Sequence, residues 1–278
     1  MKLDRISVAD SIRYQRMTTE EMRAHFLLPD LFLPGAIQLT LTDVDRAIVG
    51  SAMPASAPLT LGPAPELRAE YFLERRELGI LNIGGAGRVT VDESVYAMAP
   101  LDGLYLGRGT RDIRFESVSA AEPAAFYLLS YPAHAAYPTA HARKADAEAV
   151  PLGETALCNR RTIYKYIHPR GIRSCQLVMG FTVLEEGSAW NTMPPHTHER
   201  RSEIYLYFNM AEEARVFHFM GSPRETRHLL LGNREAVISP AWSIHAGAGT
   251  ARYSFCWGMG GENQTFEDMD AASVAELR

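Results

Sequence analysis

Short strand-like runs are the sequence feature that most constrains how this chain can fold. From about residue 39 onward, β-branched and aromatic residues recur in brief runs, such as residues 88–91, 125–129 and 215–220. Each run is bounded by Gly, Pro, Asn or Asp. Runs of this length between turn-forming residues are typical of β-strands, so the sequence predicts a mainly β protein.

Helical patterns are confined to the two ends of the chain. Residues 18–27 begin with Thr18, a residue type that caps helices, and end before Pro29. Residues 270–277 are predicted to form a second, short helix. We therefore expect terminal helices around a body of strands and turns.

The length of 278 residues fits two cores better than one, since a domain holds roughly 150 residues. Residues 138–150 carry scattered Ala, His, Lys and Asp without strand periodicity, which is typical of a connector. The sequence predicts a domain over 1–150 and a second domain over 151–278.

Two short matches indicate that the halves are related. Residues 71–77 align with 196–202 through a shared Glu-Arg-Arg, and residues 104–110 align with 244–250 through Gly-x-Gly-Thr. The second copy has more residues between its matches, most simply a longer hairpin near 221–227. Matches this short also arise by chance, but their common order favours duplication.

Composition excludes several classes of partner and location. Asp and Glu number 33 against 28 Lys and Arg, without a basic block, which argues against binding nucleic acid. No apolar run reaches the roughly 18 residues of a membrane span, so we expect a cytoplasmic protein without membrane contact. The three cysteines lack C-x-x-C spacing and are interpreted as buried thiols.

The strongest chemical signal is His196-x-His198, followed by Glu203 and, in a later segment, His245. Residues two apart in an extended strand point to the same face, so two imidazoles can reach one metal ion. Glu203 needs an intervening turn or bulge to join them. Three imidazoles and one carboxylate leave open positions on a metal, as catalytic sites do.

A simpler interpretation makes His196 and His198 exposed loop residues next to prolines and charges. The proposed first copy argues against it, because Tyr71, Leu73 and Tyr105 align with the three histidines and cannot together bind a metal. One copy would then be structural and the other functional.

Two further histidines compete as ligands. His218 lies in an alternating run and could face inward, whereas His228 lies in the next run. The H-x-H pattern favours the first set over either of them.

Longer motifs resemble one family. The spacing and the two related halves are similar to the cupin superfamily in its bicupin form, with two jelly-roll β-barrels. Residues 190–201, 71–79 and 261–264 resemble the 5-keto-4-deoxyuronate isomerase family over almost the whole chain. The resemblance implies a zinc-containing, hexameric enzyme with one zinc per chain. It also implies that the zinc ligands are His196, His198, Glu203 and His245.

The implied reaction converts 5-dehydro-4-deoxy-D-glucuronate to 3-deoxy-D-glycero-2,5-hexodiulosonate in the breakdown of pectin and other uronates. It moves a hydrogen between adjacent carbons, most simply through an enediolate, and requires a general base. Glu199, Glu262 and a metal-bound hydroxide are all candidates, and the sequence singles out none. The catalytic residues stay open at this point.

The substrate carries a carboxylate, so a cation is expected in its pocket. Arg161 and Lys165 lie on one side of a predicted strand, and either could hold a carboxylate. The alternative is a charged strand edge that prevents aggregation. Two rival functions also stay open, namely an iron-dependent cupin dioxygenase and a sugar-binding regulatory cupin.

Overall fold

The computed structural model describes residues 1–278 and consists mainly of strands, as predicted. The first twelve strands are β1 Lys2–Ile6, β2 Leu27–Leu28, β3 Ala36–Thr42, β4 Ile48–Met53, β5 Leu59–Thr60, β6 Arg76–Asn82, β7 Gly87–Val91, β8 Ser94–Met98, β9 Gly103–Leu106, β10 Ile113–Ser117, β11 Phe126–Pro132 and β12 Ala140–Ala142. The other twelve are β13 Glu148–Leu152, β14 Arg161–Ile167, β15 Val178–Leu184, β16 Trp190–Asn191, β17 His196–Thr197, β18 Ser202–Phe208, β19 Val216–Ser222, β20 Glu225–Leu231, β21 Glu235–Ser239, β22 Ala246–Gly249, β23 Ser254–Gly260 and β24 Asp270–Ala271.

Two α-helices lie near the amino terminus, α1 Ser11–Tyr14 and α2 Thr19–Phe26. Helix α2 begins as predicted, because the Thr18 side chain accepts from the Glu21 amide and the Glu21 carboxylate accepts from the Thr18 amide. The remaining helical turns are short 3₁₀ segments, Val44–Arg46, Pro65–Leu67, Lys144–Asp146, Thr155–Leu157 and Val274–Glu276.

The chain forms two compact units, neither of which is one continuous segment. The first unit contains residues 1–5, 30–147 and 166–178. The second contains residues 6–29, 148–165 and 179–278.

The first unit is built from a seven-stranded and a four-stranded sheet. The larger sheet has the order β1, β3, β4, β11, β6, β9, β12, and the smaller has the order β5, β10, β7, β8. In β7 the odd-numbered Val89 and Val91 are buried while Arg88 is exposed, which is the period-two pattern of a strand with one solvated face. The buried side chains of both sheets meet in one apolar cluster that includes Leu39, Leu128 and Phe115.

The second unit repeats this arrangement. Its seven-stranded sheet has the order β13, β14, β15, β23, β18, β21, β2, and its four-stranded sheet has the order β16, β22, β19, β20. The same sequence of pairings therefore occurs twice, as the duplicated motifs predicted. Strands β19 and β20 have seven residues each against five in β7 and β8, which agrees with the predicted longer hairpin.

The register of the strands corrects the sequence alignment of the two copies. Strand β6 pairs with β11 so that Arg76 lies opposite Pro132, and β18 pairs with β23 so that Ser202 lies opposite Gly260. These strands occupy the same place in their sheets, so Glu77 matches Glu203. The alignment through Glu-Arg-Arg is displaced by one residue from this match.

The predicted match of Tyr105 with His245 is also wrong. Tyr105 lies in β9, whose counterpart by sheet order is β21, whereas His245 directly precedes β22. Gly-x-Gly-Thr falls in a turn after β9 in one unit and in a strand in the other. Glycine is favoured in a turn and in a close-packed strand for different conformational reasons, so the shared Gly-x-Gly-Thr letters do not mark equivalent positions.

Two further expectations differ from the structure. Residues 270–277 form no α-helix, because β24 pairs with β17 and only Val274–Glu276 makes a helical turn. The expected connector at 138–150 holds β12, a 3₁₀ turn and the start of β13. No helix is long and apolar enough to cross a membrane.

Candidate metal centre

The structure brings the four predicted ligands together in the second unit. His196 lies in β17, His198 follows that strand directly, Glu203 is the second residue of β18, and His245 precedes β22. The four residues between His198 and Glu203 include the predicted turn that directs the carboxylate toward the imidazoles. Their ligand atoms all lie within 4.8 Å of one another.

The spacing of these atoms matches the edges of a small coordination polyhedron. Glu203 Oε2 lies 2.9 Å from both His198 Nε2 and His245 Nε2, and His245 Nε2 lies 3.1 Å from His196 Nε2. Ligands about 2.0–2.1 Å from a tetrahedral zinc ion are separated by roughly 3.3 Å. The nitrogen and oxygen donors fit a divalent ion in both number and spacing.

Burial controls the charge of the cluster. Burial and the neighbouring His245 lower the pKa of His196 to about 3, so its imidazole is neutral. Burial alone would raise the pKa of Glu203, but His245 and His198 hold it well below its usual range. Neutral imidazoles and an ionised carboxylate are the forms that bind a metal.

A guanidinium fixes the orientation of His198. Arg201 is buried and its Nη2 donates to His198 Nδ1 at 3.0 Å. The contact leaves Nε2 as the nitrogen directed at the cluster. Because a guanidinium only donates, a neutral His198 that accepts from it carries its hydrogen on Nε2, so metal binding through Nε2 requires the other tautomer, in which Nδ1 carries the hydrogen and no longer accepts from Arg201. Because Arg75 and Arg76 repeat the Arg200-Arg201 pair in the first half of the sequence, sequence comparison carried no signal for this contact.

The same guanidinium binds the C-terminal segment, defined here as residues 265–271. Arg201 donates from Nη1 to the Thr265 carbonyl and from Nη2 to the Phe266 carbonyl, each at 2.7 Å, and forms an ion pair with Asp268. Beyond this segment, β24 pairs with β17 and places Ala271 opposite His196. The C-terminal segment is therefore held to both ends of the H-x-H motif.

A cavity of about 400 Å³ opens beside the cluster, within the usual range for small-molecule sites. Its wall is largely apolar, with a few polar side chains. The lining residues are Leu152, Arg161, Ile163, Lys165, Thr182, Thr192, Met193, Pro194, His196, His198, Glu203, Tyr205, Phe255, Trp257, Met259, Phe266 and Met269.

Both predicted substrate cations line this cavity. Arg161, Ile163 and Lys165 alternate along β14, which places their side chains on the cavity side of the sheet. The alternative of a charged strand edge is wrong, because β14 lies between β13 and β15. Arg161 Nη1 donates to the Asn159 carbonyl at 2.8 Å, which holds the guanidinium in place.

The carboxylates considered as general bases lie elsewhere. Glu199 is exposed and makes no hydrogen bond, and Glu262 forms an ion pair with Arg200 at 3.0 Å. Neither lines the cavity. The structure therefore brings neither of these acids to the metal centre.

The competing histidines are also outside the cluster. His228 is exposed on β20. His218 is fully buried, with Nδ1 at 2.9 Å from the Tyr207 hydroxyl and Nε2 at 3.2 Å from the Ser239 hydroxyl. Burial lowers the pKa of His218 to about 3, so it is a neutral member of a buried polar network.

Sequence reasoning also missed Tyr205 and Thr192, which line the cavity. Tyr205 follows Glu203 by two positions on one strand, and this spacing was a usable signal that both face the same side. Thr192 carried no comparable signal, since it follows the short strand β16.

Of the three cysteines, Cys175 and Cys256 are buried as expected, while Cys158 is exposed. Cys158 ends the 3₁₀ turn Thr155–Leu157 with a left-handed backbone, φ 52°.

Known proteins share both the sequence and the fold. The KduI/IolB family model matches residues 35–276. Proteins named 4-deoxy-L-threo-5-hexosulose-uronate ketol-isomerase are similar over most of the chain. The one from Bacillus pumilus is 54% identical and covers 95% of this chain and 96% of its own, and the one from Lachnoclostridium phytofermentans is 54% identical and covers 94% and 95%.

Among solved structures, an IolB-like protein from Salmonella typhimurium LT2 is similar with a TM-score of 0.73. It shares 14% sequence identity, and the match covers 90% of this chain and 97% of that one. At this identity the likeness concerns the fold alone, which is the predicted cupin fold.

Proposed function

Because the chain belongs to the KduI/IolB family and is a ketol-isomerase of uronate metabolism, we propose that it converts 5-dehydro-4-deoxy-D-glucuronate to 3-deoxy-D-glycero-2,5-hexodiulosonate. The relatives' shared name supports a uronate-derived hexosulose as substrate. One observation carries the proposal: a three-histidine, one-carboxylate cluster borders a cavity that also contains two cationic side chains.

We propose that the cluster holds one zinc ion per chain through His196, His198, Glu203 and His245. Three imidazoles and one carboxylate suit zinc, and since zinc can expand from four to five ligands, a substrate oxygen could be added to this set. When bound, zinc supplies a Lewis acid that polarises a carbonyl and stabilises negative charge on oxygen. Glu203, the only anionic member, reduces the positive charge of the centre.

Arg161 and Lys165 are proposed to bind the carboxylate of the substrate. Both are partly buried on the cavity wall, where a charge interaction is stronger than on an open surface. The Arg161 guanidinium is fixed by the Asn159 carbonyl, while Lys165 Nζ lies 3.4 Å from Glu148 Oε1. Holding the carboxylate there directs the other end of the substrate toward the cluster.

The apolar wall contributes by limiting water around the reacting carbons. Phe255, Trp257 and Met259 of β23 line one side of the cavity, and Phe266 and Met269 come from the C-terminal segment. A dry site strengthens each charge interaction with an enediolate-like transition state.

Assay and metal analysis of the purified protein test the proposal together. The substrate is the keto acid formed from the unsaturated uronate that pectin or alginate lyases release. We expect about one zinc per chain and replacement of the aldose signals by ketose signals in NMR spectra. In D₂O, deuterium is expected in the product at the carbon that was the aldehyde C1 of the substrate, because an enediolate route exchanges the transferred proton with solvent.

The rival functions give different results in the same experiment. An iron-dependent dioxygenase would contain iron and consume oxygen, and a regulatory sugar-binding cupin would bind the keto acid without turnover. A fully zinc-loaded protein that leaves the keto acid unchanged would contradict the proposed reaction. The ketol-isomerase names of the relatives favour isomerisation over both alternatives.

We also propose a division of labour, an assembly and a location. Residues 1–150 would carry no metal and residues 151–278 would carry the zinc. The resemblance to the isomerase family supports a homo-oligomer, a hexamer, which sedimentation at micromolar concentration tests. A cytoplasmic location is supported by three cysteines that form no disulfide, since disulfides are rare in reducing compartments.

A further inference from the structure

Tyr205 is placed beside the metal cluster with a hydroxyl that the cluster does not use. It follows Glu203 by two positions in β18, so both side chains lie on the same face of the strand. Its ring centroid is 5.5 Å from that of His245, and its side chain lines the cavity. Only 2% of the residue is exposed.

A chain of hydrogen bonds orients this hydroxyl. The Tyr253 hydroxyl donates to Asn191 Oδ1 at 2.6 Å, and Asn191 Nδ2 donates to Thr192 Oγ1 at 2.9 Å. Thr192 Oγ1 in turn lies 3.0 Å from the Tyr205 hydroxyl. Since Thr192 already accepts from the amide, its own hydrogen is available for the Tyr205 oxygen.

The donor-to-acceptor direction of these hydrogen bonds determines whether the Tyr205 hydroxyl can donate to a substrate. Thr192 is the hydrogen-bond partner that the structure gives to the Tyr205 hydroxyl. When Thr192 donates, the tyrosine oxygen accepts, and the phenolic hydrogen is left for a group inside the cavity. A buried phenol without an acceptor would carry a desolvation cost, which a substrate oxygen would remove.

The backbone at Thr192 also indicates a constrained position. Its φ is 50°, in the left-handed region that β-branched residues avoid. Such conformations are costly and persist where the surroundings enforce them, often next to functional groups. Here the unusual backbone directs a hydroxyl at Tyr205.

The position of Asn191 in this series of hydrogen bonds depends on the lack of a side chain at Gly247. A Cβ atom at this position would collide with Asn191 Oδ1 and the Tyr207 hydroxyl. The opposing strand therefore leaves space for Asn191 to reach both Tyr253 and Thr192. The network is thus built into two strands of the four-stranded sheet and one strand of the larger sheet.

We propose that Tyr205 is a catalytic residue that donates a hydrogen bond to the substrate oxygen carrying negative charge in the enediolate, and that Asn191 and Thr192 are its positioning residues. The hydrogen stays on the phenolic oxygen, so the step requires no co-reactant and no net proton transfer by Tyr205. The proposal rests on the proposed isomerisation. Preorganised donors of this kind act because they face the charge that develops during the reaction.

The first test compares Tyr205→Phe with Tyr207→Phe, using the zinc-loaded full chain and the keto acid substrate. Tyr207 is a matched control, since it is buried on the same strand but bonds to His218 and does not line the cavity. We expect kcat of Tyr205→Phe to fall about 10²- to 10³-fold, the usual loss of one such donor. KM and zinc content should stay within threefold, and Tyr207→Phe should keep its kcat.

The second test asks whether the hydroxyl of Thr192, and not the size of its side chain, positions Tyr205. Thr192→Val removes the hydroxyl and keeps the branched shape, and we expect kcat to fall about tenfold with little change in KM. Thr192→Ser retains the hydroxyl and should restore most of the rate. Melting temperature is measured for all four variants, so that a folding defect is recognised.

Three results would overturn the proposal. These are a Tyr205→Phe variant that keeps more than a third of kcat, one that loses its zinc, and a Thr192→Ser variant as slow as Thr192→Val. A wild-type protein without isomerase activity would instead contradict the proposed function, so the two failures are distinguishable.

Discussion

The two units carry a buried glutamate at the same strand position and satisfy it in opposite ways. In the first unit, Glu77 Oε1 accepts from the amides of Gln176 and Leu177 at 2.8 Å each, and Oε2 accepts from the Cys175 amide and the Tyr105 hydroxyl at 2.7 Å each. In the second unit, Glu203 Oε2 lies 2.9 Å from the imidazoles of His198 and His245.

This difference shows that one strand position of a duplicated fold can hold a structural carboxylate in one unit and part of a cation site in the other. A buried carboxylate must find partners in either unit, because leaving it unpaired costs several kcal/mol. Backbone amides and a hydroxyl occupy both oxygens of Glu77 and leave them no further use. The partners of Glu203 are themselves metal ligands, so the same position becomes part of a cation site.

The side chains that the four-stranded sheets of the two units turn inward also differ in polarity. The four-stranded sheet of the first unit turns apolar side chains inward, including Val89 and Phe115. The corresponding sheet of the second unit buries His218, and Gly247 lies opposite it. At these positions the four-stranded sheet of the first unit contributes hydrocarbon to the interior, whereas that of the second contributes an imidazole and a glycine.

The largest expected effect comes from Glu203→Gln. A neutral amide raises the net charge of the centre, so zinc affinity and turnover should both fall by at least about 100-fold. Zinc content, isomerase rate and melting temperature are measured together. We expect the melting temperature to change less than the rate, because the surrounding sheets form without the metal.

Glu199→Gln is the matched control for that variant. Glu199 is exposed and makes no hydrogen bond, so the expected stability change is at most about 0.5 kcal/mol, below the roughly 1 kcal/mol of a residue that fixes a turn. If Glu199→Gln abolished turnover while keeping zinc, Glu199 would be the general base.

The number of metal ions per chain tests whether only the second unit binds a metal. A count near two metals per chain, or full metal content in a His196→Ala, His198→Ala double variant, would contradict this proposal.

Glu77→Gln should affect stability instead of metal. The introduced Nε2 group would face two of the donors that now bind one carboxylate oxygen, leaving buried donors unsatisfied. The expected loss is about 2–3 kcal/mol in the free energy of unfolding, with zinc content unchanged. Urea denaturation and elemental analysis measure the two quantities, and a loss of zinc would show that the units do not divide these roles.

A smaller effect on metal retention is expected from Asp268→Asn. Asp268 pairs with Arg201, which holds His198, so weakening the pair should loosen one ligand. Groups that orient ligands typically contribute 10- to 100-fold in metal affinity, and we expect about tenfold faster zinc release to a chelator. Glu262→Gln is the control, because Glu262 pairs with Arg200 and not with Arg201, and its side chain is 61% exposed. Equal release rates in both variants would remove Asp268 from the comparison.

The sequence predicted what depends on local pattern. Thr18 caps α2 as predicted, because a helix cap depends only on residues within one turn; the structure adds Glu21 as its partner. His196 and His198 were placed on one face by strand spacing, Glu203 was expected to join them through a turn, and His245 was expected from a later strand; the four lie together in the structure. Their role as zinc ligands stays a proposal, but their proximity was available from the residues alone.

Contacts between distant segments that no chemical motif marks were not predictable. The Arg201–Asp268 ion pair joins residues without shared periodicity, and it becomes visible only when β24 pairs with β17. The same pairing explains why residues 270–277 are not an α-helix. The sequence alignment was displaced by one residue from the match of Glu77 with Glu203, because it matched identical letters. The pairing of β6 with β11 and of β18 with β23 fixes the true register.

The smallest expected effect concerns pH and the polar interior of the second unit. Burial lowers the pKa of His218 to about 3, while an unfolded chain has a histidine pKa near 6.5. Below pH 6.5 the unfolded state binds the proton and the folded state does not, so stability falls as pH decreases. His218 alone should lower the free energy of unfolding by about 1 kcal/mol between pH 6.5 and pH 5.5. Urea denaturation at several pH values, compared between the wild type and His218→Gln, measures this slope. A variant with an undiminished slope would show that the buried imidazole does not distinguish the interior of the second unit from the apolar interior of the first.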